Sequence, residues 1–137
     1  MSDSRESRLA TYRQSRRRYR PDRRQFERLV ADALDELPEE FRSRLSNVAI
    51  VVEDWPPSDR VPQHGTGDGD TLLGLYEGTP LSRRGTDYHL VPPDRITIYR
   101  GPILALCETR AEVIREVHAT VVHEVGHFFG LDEHELK

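Results

Sequence analysis

The string His123-Glu124-Val125-Gly126-His127 carries two imidazoles four residues apart. On a helix that spacing sets both rings on one face about one turn apart, so two ring nitrogens can grip a single metal ion. Zinc takes imidazole nitrogen at roughly 2.0–2.1 Å, and a glutamate beside the first histidine can serve as a base toward water without being a ligand. Glu124 holds that place. Gly130 comes three residues after His127 and lets the backbone leave the helix in a left-handed conformation. Three residues later Glu133 is placed to fold back as a third ligand, with His134 ranked second and Asp132 the remaining competitor. Only residues 128–137 follow the second histidine, so the expected third ligand is among them, and a distant glutamate on a later helix is set aside. The single methionine is Met1, so the methionine turn found beneath metzincin sites is missing.

Other reactive residues read more plainly. His118 lies off the metal face of the same helix, and His64 and His89 fall in polar loops. Cys107 precedes a helix cap, where an inert buried thiol is expected, and a lone cysteine makes neither an internal disulfide nor a Cys-x-x-Cys metal knuckle. The Asp68-Gly69-Asp70 stretch has one Asp-x-Asp step and no glutamate closing a twelve-residue loop, so calcium is not expected there.

The elements that must position these residues follow from periodicity. Phe26, Leu29, Val30, Ala33, Leu34 and Leu37 trace one face of a helix that begins near Pro21 and is ended by Pro38. A short helical piece is expected over Glu39–Leu45. The β-branched run Val48–Val52, closed by Trp55-Pro56-Pro57, has the pattern of a buried strand, and Leu72–Tyr76 and Arg95–Tyr99 read as two more. Residues 58–71 and 77–94 are polar and turn-rich. After the apolar run Ile103–Leu106, Thr109-Arg110-Ala111-Glu112 matches a capping box, and the terminal helix starts there with Val113, Val117, Val121 and Val125 as its core stripe. Phe128 and Phe129 are expected to join that core. Strands grouped between helices define an α+β domain: a three- to four-stranded sheet packed with an N-terminal helix and a C-terminal helix bearing the histidine pair.

Charge divides the chain. Residues 1–24 hold nine arginines against three carboxylates, a surplus of six, while the other 113 residues hold eleven basic and twenty-one acidic groups, a net −10. Residues 1–20 are therefore read as an Arg-rich disordered leader and 21–137 as the domain. Arginines flanking Tyr12 and Tyr19 would suit nucleic acid or an acidic partner. The longest apolar runs have five residues, Val48–Val52 and Ile103–Cys107, against roughly 20 for a membrane span. No membrane association is expected, and the lone thiol suits the reducing cytoplasm.

Four segments together carry a family resemblance: Val48-Ala49-Ile50-Val51-Val52-Glu53-Asp54-Trp55-Pro56, Leu72-Leu73-Gly74-Leu75-Tyr76-Glu77-Gly78, Pro93-Asp94-Arg95-Ile96-Thr97-Ile98-Tyr99-Arg100-Gly101-Pro102, and the closing metal motif. In this order they resemble the small bacterial zincin-like proteins, a family of zinc-metallopeptidase type with a minimal zincin fold. The resemblance spans Phe26 to Leu136 and leaves the arginine leader outside it. That family usually ends its motif in Asp, where this chain has Glu133. The resemblance implies Zn²⁺ held by His123, His127 and Glu133, Glu124 as general base, and a peptide or protein substrate. It also implies a substrate strand laid along a sheet edge, either Ile96–Tyr99 or Leu72–Tyr76. An oxyanion donor is expected but the sequence does not assign it; Tyr88, His89, Tyr99 and Arg100 are the candidates. The rival expectation is a noncatalytic zinc-binding interaction domain whose basic tail contacts nucleic acid or an acidic partner.

Overall fold

The computed structural model describes residues 18–57, 72–81 and 94–131. In chain order its elements are α1 (Arg23–Asp35), α2 (Glu39–Arg42) running into a 3-10 turn (Ser43–Leu45), β1 (Val48–Glu53), β2 (Gly74–Glu77), β3 (Asp94–Tyr99), α3 (Arg100–Leu106) and α4 (Arg110–Phe128). This is the expected α+β arrangement, with three strands in the described sheet.

α1 starts one residue after its cap, Asp22, which itself follows the proline. The Asp22 carboxylate accepts from the Gln25 backbone N–H at 2.8 Å and the Gln25 side chain accepts from the Asp22 N–H at 2.9 Å, a capping box that satisfies donors on both residues. Phe26, Leu29, Val30 and Ala33 bury the inward face. The helix stops at Asp35, and Pro38 starts the next turn instead of merely ending this one, since its carbonyl accepts from Phe41 and Arg42.

The sheet order is β1-β3-β2, with β1 parallel and β2 antiparallel to β3. β3 is paired on both sides and buried on both faces: Ile96 and Ile98 join the core with the helices, while Thr97 and Tyr99 are buried on the other side. Of β1 only Val52 is fully buried; Ala49 is exposed and Val48, Ile50 and Val51 are half-buried. Its unbroken apolar run suggested burial on both faces, but an outer strand of the described sheet has one neighbour and less cover. Ile103–Leu106 proves helical. That run is too short for periodicity to type, and it forms α3 directly after β3.

α1 and α4 pack against each other over one face of the sheet, α1 over β1 and α4 over β3 and β2. The joint core holds Val113, Val117, Val121 and Val125 at 5% exposure or less, together with Phe26, Ile96, Ile98 and Ile103. At roughly 25 cal/mol per Å² of apolar surface removed from water, each such valine contributes about 1.5–3 kcal/mol. The predicted stripe is therefore what fixes the roll of α4. Arg18, Tyr19 and Arg20, which the charge pattern assigned to the leader, are seated on the body: Arg18 donates to the carbonyls of Leu104 and Cys107, Arg20 to Leu104, and the Tyr19 N–H to Glu108. Residues 1–17 lie outside the described residues.

Candidate metal centre

Thr109 and Glu112 open α4 as the sequence predicts, the threonine hydroxyl accepting from the Glu112 N–H at 3.1 Å and the Glu112 carboxylate accepting from the Thr109 N–H at 2.9 Å. The helix then runs nineteen residues to Phe128. At its far end the Gly130 N–H donates to the His127 carbonyl at 2.9 Å and the Leu131 N–H to the Gly126 carbonyl at 3.0 Å. These two bonds are a Schellman closure, and Gly130 adopts the positive φ of 88° that it requires. The chain therefore turns sharply off the helix three residues past the second histidine.

On the last turns of α4 the residues sort by angle. Val121 and Val125 face the core, Thr120, Glu124 and Phe128 lie buried, and His123 and His127 follow on the next stripe, His123 exposed to intermediate depth together with its partner. The two Nε2 atoms lie 3.1 Å apart, with the rings edge to face at a centroid separation of 4.7 Å. Two nitrogens that each stand roughly 2.0–2.1 Å from a shared ion at a tetrahedral angle would be about 3.3–3.4 Å apart, so the pair stands within a few tenths of an ångström of a chelating geometry. Glu124, one residue on, is 3% exposed.

The remaining expectations divide. Glu133, His134 and Asp132 lie outside the described residues, as do His64, His89 and Tyr88. Among the described residues no group of three or more His, Cys, Asp or Glu side chains gathers as a ready metal cage. Tyr99 is buried in a cluster with Leu72 and Leu75, apart from the main core. Arg100 is engaged elsewhere, donating to the Pro21 carbonyl at 2.9 and 3.1 Å and pairing with Asp54 at 3.2 Å. His118 points to α1, its Nε2 3.5 Å from a Glu36 carboxylate oxygen. Cys107 is buried, and desolvation, followed by the nearby Glu116 and Glu112 charges, pushes its thiol up from the ordinary value of 9.0, as expected of an inert group.

Ile96–Tyr99 cannot be the substrate edge, because β3 is paired with β1 over Asp94–Tyr99 and with β2 over Arg95–Ile98. Of the two segments expected to offer an edge, only the one containing β2 is an outer strand of the described sheet. Tyr76 of β2 packs its ring against Phe128 at 5.9 Å, and Phe128 in turn meets Phe129 at 5.2 Å. A residue that sequence reasoning passed over also lies here. Gly74 of β2 runs close beneath Thr120 and Glu124. The available signal was a lone glycine inside an apolar strand, which marks close approach of another backbone or ligand.

A helix-borne histidine pair, a buried glutamate between them and a small mixed sheet beneath define a protein of zincin architecture. The family model described as zincin-like metallopeptidase matches residues 45–137, more than half of the chain, and the chain belongs to that family. Among solved structures, a conserved hypothetical protein from Thermo thermophilus is 27% identical, with 77% of this chain and 91% of that one covered at a TM-score of 0.49. A comparison with curated proteins gives no match. Among the described residues no helix is long and apolar enough to cross a membrane.

Proposed function

We propose that this protein is a zinc-dependent peptidase in which Glu124 is the general base. The observation that carries the reading is the 3.1 Å approach of the His123 and His127 Nε2 atoms beside a carboxylate that is 3% exposed. Neutral imidazoles with converging nitrogens are a donor set that zinc prefers, so the residues present fit the ion. His123 and His127 would hold it, with Glu133 as the third ligand. When bound, zinc supplies Lewis acidity, activating water near neutral pH and polarising a carbonyl.

The chain's own residues do the rest. Glu124 accepts the proton of the attacking water and returns it to the amine that leaves, so peptide-bond cleavage proceeds with no net change at the carboxylate. Its burial keeps bulk water from competing for that proton. β2 offers its outer edge to an extended peptide, whose main chain would add as a further strand. A lone buried thiol, Cys107, suits a reducing cytoplasm as the working compartment.

The test uses the full chain, a peptide library and zinc analysis on a set of point variants. Glu124→Gln is expected to keep its zinc and lose about 10²–10⁴-fold in turnover, the share that general base catalysis supplies. Glu133→Ala is expected to weaken zinc binding more than Asp132→Ala or His134→Ala does. Undiminished cleavage by zinc-loaded Glu124→Gln would reject the reading.

A further inference from the structure

A Cβ added to Gly74 would stand 2.8 Å from Thr120 Cγ2, 3.1 Å from Glu124 Cγ and 3.2 Å from the Thr97 carbonyl oxygen. Carbon contacts become ordinary near 3.4 Å, so one methyl group would demand about 0.6 Å at Thr120 and about 0.3 Å at Glu124. The strand cannot provide that room. Gly74 is paired with Ile98, and the neighbouring Leu73 carbonyl accepts from the Tyr99 N–H at 2.9 Å. At the other end of β2 the Tyr76 hydroxyl donates to the buried Asp94 carboxylate at 3.0 Å, and the Thr79 N–H donates to the same group at 3.3 Å.

On the helix side Thr120 is β-branched and stiff, and its neighbours Val117 and Val121 are locked in the core at 1% exposure. With the helix backbone held by its core valines, the displacement falls on side chains, and the Glu124 Cγ beside the new methyl group must turn aside. His123 and His127 stand on the neighbouring stripe of the same helix, outside the contacts of the new methyl group, and keep the spacing that the unmoved backbone sets.

We propose that Gly74 is a positioning residue: the absence of a side chain there seats Glu124 against the outer strand β2, and one methyl group at that position misplaces the carboxylate without loosening the histidine pair. The role in turnover rests on the reading of Glu124 as general base. A turn of about 0.3 Å at Cγ grows to about 0.5 Å or more at the carboxyl oxygens farther along the side chain, and since a 1 Å error costs roughly 10²-fold the expected loss is about tenfold.

The experiment compares the full-length chain with Gly74→Ala and with Gly74→Ala/Thr120→Ser, which deletes the methyl group nearest the new one. Three quantities are read: kcat and KM on a peptide the wild type cleaves, zinc affinity by competition with a chromophoric chelator, and the ¹³C signal of the Glu124 carboxyl. That signal is identified by its disappearance in Glu124→Gln. In Gly74→Ala we expect kcat to fall about tenfold with KM and zinc affinity within about twofold, and the carboxyl signal to move. The double variant should return both kcat and the signal part of the way, and it also serves if Gly74→Ala alone does not fold. An unmoved carboxyl signal, a parallel loss of zinc affinity, or no recovery in the double variant would each overturn the proposal. Should the wild type cleave no peptide, the general-base reading fails, while the carboxyl signal and zinc affinity still decide the positioning role.

Discussion

Glu112 accepts backbone N–H bonds from Thr109 and Glu108, both at 2.9 Å, and these hold its carboxyl below the ordinary value of 4.5. The folded chain thus favours the charged form, so the stability this gives is present above pH 4.5 and fades as pH falls through the lowered folded value. Glu112→Gln keeps an acceptor oxygen but cannot titrate. Its melting temperature should fall less steeply than the wild type's between about pH 5 and 3, and equal acid slopes in the two proteins would remove Glu112 from the account. Residue roles of this kind were legible in advance because they rest on neighbours three or four positions away: Thr109 with Glu112, His123 with His127. Gly74 was not legible in that way. Its partners Thr120 and Glu124 lie more than forty positions downstream, and only the packing of α4 on β2 brings them together.

Among the elements, α4 does most to build the site, and both of its ends are set by local chemistry. The capping box opens it, and the Schellman closure at Gly130 ends it just past His127. An alanine at 130 would have to hold φ near 88°, which costs an L-residue about 1–2 kcal/mol. Gly130→Ala is expected to lower the melting temperature by roughly 4–8 °C per kcal/mol and, on the proposal that Glu133 is the third ligand, to weaken zinc binding. Zinc affinity equal to the wild type's would show that the third ligand does not depend on this turn. The strands were harder to read than this helix. Val48–Val52 and Arg95–Tyr99 both read as strands, the first the more apolar, yet in the described sheet the first is an outer strand and the second central. Which of them receives neighbours on both sides is a matter of pairing over long sequence distances, and no local pattern records it.

At the scale of the whole molecule, arginines near the start of the described residues meet backbone carbonyls of the body. Arg18 and Arg20 satisfy the Leu104 and Cys107 carbonyls at the end of α3, and Arg100 and Arg23 tie Pro21 and Val52 into the same region. Charged hydrogen bonds contribute about 1.5–3 kcal/mol each. A chain lacking residues 1–20 should therefore melt on the order of 10 °C below one lacking residues 1–17. Coincident melts would show that these arginines do not hold the body. Composition had marked all nine arginines of residues 1–24 as one basic tail, because charge counting does not see which guanidinium groups meet backbone oxygens. By itself the sequence determined the α+β class, the apolar face of the first helix, the capped terminal helix, the valine stripe and the His123-Glu124-His127 constellation, since each of the local features depends on spacings within one element. Tertiary structure alone decided the strand order β1-β3-β2, the anchoring of Arg18 to Arg20, and the close passage of Gly74 beneath Glu124. Those features join segments far apart in the chain, and which of them meet is settled by how the whole core packs.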